Sequence, residues 1–197
     1  MISLFGLLIG QLIIVVLGSL TITSEYSTGM IRTSLTTMPR RGTVFAAKAV
    51  VFGTVALATG VIASFASFFI GQAILSAQHV NVTIGQPGVL RAVVGGGLFL
   101  TVCGLLSFGL GAVLRHTAGA ITASIGLLFV LFILSGFLPA NWAVYVDKWI
   151  PFNAGAGIWE QGSGTNMFSP WTGFAVFCGY AAIAVIGGVL LFRRRDA

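Results

Sequence analysis

The sequence predicts an all-α, polytopic integral membrane protein, a single helical bundle of about five transmembrane helices over residues 1–197. Composition is the first ground: 57% of the residues are hydrophobic, 7% are charged and the mean hydropathy is +1.03. Soluble domains carry roughly a quarter charged residues, so this chain could not cover a globule's surface. Five apolar runs are the second ground, each about as long as the ~20 residues that cross hydrocarbon as a helix. The third is the placement of charge, because the basic residues stand mainly at the ends of those runs rather than along one exposed face.

The first run, residues 2–22, has no basic stretch before it and no small-residue cleavage site after it, and so reads as a mature span rather than a secretory signal. Gly6 and Gly10 within it form a GxxxG pair, a spacing that lets helix backbones approach closely where lipid supplies no hydrophobic drive. A short polar segment follows at 23–43. Thr23 or Ser24 is placed to cap a new helix with Glu25 in its first turn, Met30, Ser34 and Leu35 recur at helical spacing, and Pro39 closes the element before Arg40 and Arg41. Such a helix fits two roles. One is an interfacial loop with its arginines on lipid phosphates; the other is a rigid knob pressed into a cytoplasmic partner.

Runs 49–76, 92–114 and 118–138 are continuous apolar stretches without strand alternation. Backbone in hydrocarbon has no water to bond, so they are helices with their N–H and C=O groups paired internally. Gly95, Gly96 and Gly97 are consecutive in the second of them. Between 139 and 170 lies an aromatic segment in which Trp142, Tyr145 and Trp149 fall on one helical face, the pattern of a surface helix anchored at the interface. The fifth run, 171–192, is closed by Arg193, Arg194 and Arg195.

Orientation follows from the connecting segments. Arg32, Arg40, Arg41 and Lys48 come after the first run, Arg115 between the third and fourth, and the arginine triplet after the fifth, with only Arg91 and Lys148 on the other side. The positive-inside rule makes the first group cytoplasmic and puts Met1 outside and Ala197 inside.

Several functions are excluded. The net charge of +6 is explained by membrane orientation, which removes the case for nucleic acid. Cys103 and Cys178 sit singly inside apolar runs, with neither disulfide nor metal spacing. No P-loop is present, since neither Lys48 nor Lys148 follows a glycine, so the chain does not itself hydrolyse ATP. An ion-coupled carrier places acids or histidines within the bilayer, whereas here all four acids and both histidines, His79 and His116, lie between or beyond the runs. Gln11 and Gln72 are the main larger polar groups inside.

The stretch T-I-T-S-E-Y-S-T-G-M-I-R-T-S-L-T-T-M-P-R-R from Thr21 to Arg41, followed by A-A-K at Lys48, resembles the permease subunits of actinobacterial ABC-2 type transporters. The likeness extends to the aromatic segment, the last run and the terminal Arg193-Arg194-Arg195-Asp196. It implies a type V exporter-like permease fold in the bacterial cytoplasmic membrane. It also implies a second permease copy and a separate ATP-binding subunit that carries ATP and magnesium, with no cofactor in this chain. Glu25, Tyr26, Gly29, Met30, Arg32, Pro39, Arg40 and Arg41 match the family's coupling segment, which docks on that subunit. Trp159 and Glu160, with Trp142, Tyr145 and Trp149, are implied to shape the outer exit. The family usually has six spans and a cytoplasmic N-terminus led by an amphipathic elbow helix. The five runs are therefore expected to be helices two to six, with the elbow and first span lying upstream of Met1. Outside the resemblance, an ATP-independent transporter or channel and an anchoring or truncated membrane protein are the competing classes.

Overall fold

A computed structural model describes residues 6–28, 41–76, 84–160 and 167–195, which form helices and short turns and contain no strand. The helices are α1 (Gly6–Thr28), α2 (Arg41–Ser76), α3 (Val89–Leu114), α4 (Thr117–Ser135), α5 (Ala140–Val146), α6 (Pro151–Ala156) and α7 (Pro170–Arg195). Five of them, α1, α2, α3, α4 and α7, are long and apolar enough to cross a membrane.

The helix ends depart from the apolar runs for local reasons. α1 continues through Thr23 and Ser24 to Thr28, so neither residue caps a new helix there. The Thr23 hydroxyl instead donates to Ser19 O at 2.9 Å and the Thr21 hydroxyl to Leu17 O at 2.7 Å. In apolar surroundings the carbonyl one turn back is the nearest acceptor, and the bond leaves the helix intact. α2 starts at Arg41, eight residues before the apolar run, because hydropathy marks where a helix meets lipid rather than where its backbone bonds begin. Its 36 residues would reach about 54 Å at 1.5 Å each, well beyond a hydrocarbon core of ~30 Å. α4 contains a π-helical turn, Gly126–Val130, closed by Leu131 N–H on Gly126 O. Arg115, between α3 and α4, takes a left-handed φ of 55°, and its guanidinium Nη2 donates to Leu191 O at 3.4 Å, in the last turns of α7.

α3 is the axis of the bundle. Leu7, Gly18 and Ile22 of α1 meet Gly96, Gly104 and Gly111 of α3 in ascending order, so the two helices run parallel. Ala184 and Gly188 of α7 meet Gly109 and Ala112 in the same sense. On α2 the order is reversed, with Phe52 against Gly104, Gly60 against Gly97 and Ser64 against Gly96. Close approach is what the glycines supply: a Cβ on Gly18 would overlap Gly104 O, and one on Gly60 would lie 2.9 Å from Gly97 O. Two phenylalanine clusters fill the remaining space. Phe45 and Phe52 pack on Phe108 toward the basic end, where Arg115 and the close of α7 lie, and Phe152 and Phe177 pack on Phe99 toward the opposite, aromatic end.

α2 packs chiefly on α3, and grooves run along both of its sides. One, of about 510 Å³, is lined by α2, α3 and α7, with Gly53, Thr101 and Cys178 among its walls. The other, of about 410 Å³, lies between α1 and α2 and holds Thr21 and Lys48, so Lys48 stands seven residues inside α2 rather than at its end.

Candidate functional site

Hydroxyl groups tie three spanning helices together in the basic half of the bundle. Ser107 on α3 is the hub: its hydroxyl donates to Val15 O at 2.6 Å, lies 2.6 Å from Ser19 Oγ, and receives a bond from Ser124 of α4 at 3.0 Å. One and two turns nearer the basic end, Thr117 of α4 donates to Thr23 of α1 at 2.9 Å. The Ser124 hydroxyl also meets Ala120 O at 2.8 Å. Small hydroxyls are suited to this position, because each satisfies its own proton and still lets the helices touch. The ladder joins α1 to α3 and α4.

At the aromatic end the chain between α4 and α7 dips into the bundle. Residues 150–159 are largely buried, with Ile150, Phe152, Ala154, Ala156, Ile158 and Trp159 at 7% exposure or less. A Cβ on Gly155 would meet Phe177 and Phe99, ten residues into α3 and seven into α7, which puts the tip about 10–15 Å below the starts of those helices. Backbone outside a continuous helix survives at such depth only when protein surrounds it and its polar groups are paired. Here Ala154 N–H bonds Ile150 O, Trp159 N–H and Glu160 N–H bond Ala156 O, and Asn153 Nδ2 donates to Asp147 O at 3.0 Å. The Tyr180 hydroxyl of α7 pins the entry by donating to Trp149 O at 2.8 Å.

This re-entrant segment changes the reading of the aromatic residues. Trp142, Tyr145 and Trp149 are exposed, at 67%, 71% and 52%, but they do not share one helix. α5 ends at Val146, and Trp149 belongs to the 3₁₀ turn Asp147–Trp149. The cause is Pro151: it disfavours α-helical backbone at Ile150, which is extended, and starts α6 afresh. Trp149 stands edge-on to Phe168 at 5.1 Å. Trp159 parts from the other aromatics, being 5% exposed and packed on Phe99 with ring centroids 6.2 Å apart. Glu160, the next residue, returns to the surface; burial by the protein beside it pushes its carboxyl above the ordinary value of 4.5.

The structure brings only part of the expected coupling segment into view. Glu25 and Tyr26 belong to the last turn of α1 and Arg41 opens α2. Gly29, Met30, Arg32, Pro39 and Arg40 lie outside the described residues, as does the part of the expected helix from residue 29 to Pro39. The hydroxyl ladder and the re-entrant segment were not singled out from sequence. The available signals were the spacing of Ser19 and Thr23 on one face of α1, and the small-residue run Ala154-Gly155-Ala156-Gly157 bracketed by Phe152 and Ile158.

No group of three or more metal-ligating side chains gathers among the described residues. No curated protein and no solved structure matches the chain. A family model described as ABC-2 family transporter protein matches residues 2–197, nearly the whole chain. With five helices among the described residues long and apolar enough to cross a membrane, this multi-pass membrane protein belongs to the ABC-2 transporter family as a permease component.

Proposed function

We propose that the chain is the membrane-spanning subunit of an ATP-driven exporter in the bacterial cytoplasmic membrane. The observation that carries the reading is the family match over residues 2–197, to which the ladder adds a means of transmission. A separate ATP-binding subunit holds ATP and magnesium and docks at the basic end on residues 23–43, through Glu25, Tyr26, Gly29, Met30, Arg32, Pro39, Arg40 and Arg41. That end is cytoplasmic by the positive-inside rule. α1 runs without interruption from its turn at Glu25 to Gly6, so it serves as the lever for a push delivered there. Ser19 and Thr23 pass the motion to α3 and α4, and rigid-body tilting opens and closes the path at the interface with a second permease copy. Trp142, Tyr145, Trp149 and Glu160 shape the outer exit, and Trp159 holds the re-entrant segment beneath it. The test is co-purification with an ATP-binding subunit. Replacing Glu25 and Arg32 with alanine should weaken the association without loss of the folded chain, and robust transport by the chain alone would overturn the proposal.

A further inference from the structure

Eight polar side chains are buried among the described residues: Gln11, Ser19, Thr23, Ser64, Thr101, Ser107, Ser124 and Ser135. Seven have a hydrogen-bond partner. Gln11 alone has none, with its side chain 0% exposed and both Oε1 and Nε2 unbonded. A carboxamide offers two donors and two acceptor lone pairs, and withdrawing it from water with nothing in return costs roughly 2–7 kcal/mol. The neighbours one turn away on α1, Leu7 and Val15, belong to the apolar core.

The two halves of α1 are held differently. Its polar ties to α3 and α4 at Val15, Ser19 and Thr23 all lie on the basic side of Gln11. Around Gln11 the contacts with α3 are apolar, Leu7 on Gly96 and Gly10 facing Leu100. Parting this half of α1 from α3 breaks no hydrogen bond at those contacts and brings the amide out.

From this we infer that a second arrangement of α1 brings the Gln11 amide into the path of the transported molecule, and that the molecule is an amphiphile whose hydrogen-bonding group is neutral, such as a hydroxyl, ester or amide. The inference rests on the permease reading above. Its chemistry follows from the uncharged interior: the neighbours of Gln11 on α1 are apolar and the other buried polar side chains among the described residues are hydroxyls, so a charged group at this depth would find no counter-charge and would carry the full cost of desolvation.

The experiment uses the permease assembled with its ATP-binding subunit in lipid vesicles, with Cys103→Ala and Cys178→Ala as background and Gln11→Cys added. A small membrane-permeant thiosulfonate should label the new thiol about tenfold faster in one nucleotide state than in the other. Labelling that is slow in both states, in a complex that still hydrolyses ATP, would overturn the inference; a complex with no ATP hydrolysis would remove the permease reading and the inference with it. Labelling should be slowed more by a monoacylglycerol than by the fatty acid of the same chain length, and an equal or opposite effect would overturn the substrate class. Gln11→Leu provides the second measurement. It should raise the melting temperature, because the unbonded amide is gone, and a lowered melting temperature would show that Gln11 is satisfied where it stands.

Discussion

α2 and α3 are similarly apolar, yet 18 residues of α3 are buried while in α2 only Phe45, Ala56, Gly60, Ser64 and Phe68 are buried among the described side chains. Apolar character thus selects the solvent, hydrocarbon over water, without selecting the neighbour. What distinguishes α3 is the distribution of its small residues: Gly95, Gly96, Gly97, Gly104, Gly109 and Gly111 are all buried and open it to α1, α2, α7 and the re-entrant segment in turn. α2 presents one face to α3 and leaves Val50, Val51, Ile62, Ile70 and Ile74 exposed, at 63–68%. In a bilayer those side chains face lipid tails as apolar as themselves, so their exposure carries no hydrophobic penalty.

The contrast can be broken at its strongest point. Gly18→Leu drives a side chain into the backbone of Gly104, which no rotamer change relieves, and should destabilise the bundle by about 3 kcal/mol as read by unfolding in mixed micelles. A loss under 1 kcal/mol would mean that α3 is not the tightly packed axis. Next in size, Ser107→Ala removes the hub of the ladder and should cost about 1 kcal/mol, in line with membrane hydrogen bonds elsewhere. Adding Ser124→Ala should then cost less than it does alone, since the pair share a bond; full additivity in a double-mutant cycle would contradict the network.

A smaller effect is expected at Glu160. Its carboxyl is raised by burial, so the folded chain holds the proton more tightly than the unfolded chain does. The stability it contributes is present below the ordinary carboxylate value and is lost as pH rises from that value through the raised one. Glu160→Gln should abolish this fall in a pH series of melting temperatures. The change should be slight because the residue reaches solvent, and an unaltered pH profile would refute the assignment. Smallest of all, Ala58→Leu on the exposed face of α2 should alter stability by under about 0.5 kcal/mol. A marked loss there would show that α2 is covered by something other than lipid.

Much of this contrast is hidden in a sequence. The five spans are legible because a run of apolar residues has one stable form in hydrocarbon, and 92–114 differs from the described α3 by only three residues at its start. The beginning of α2 is not, since Arg41, Gly42 and Thr43 lengthen a helix without adding hydropathy. Thr23 and Ser24 look like caps by residue type, but a hydroxyl caps only where the chain turns, and here it bonds back to its own helix. The stretch 150–159 is too short to span and too apolar for a surface loop, a combination that makes sense only once Phe99 and Phe177 are known to flank it. Gln11 can be picked out as a polar group in an apolar run; that it is 0% exposed with both ends of its amide unbonded depends on how α1 packs.

The depth of the re-entrant segment also dictates an order of assembly. Its contacts come from α3, made before it, and from α7, made after it, with Gly173 of α7 closing against Ala154 O. While the ribosome is still adding α7, half of that enclosure is missing and the non-helical backbone at Ile150 and beyond Ala156 has no place in lipid. The segment therefore docks only once α7 has entered, after α3 is already in place. A chain released before α7 would keep α1 to α4 and lack a closed aromatic end.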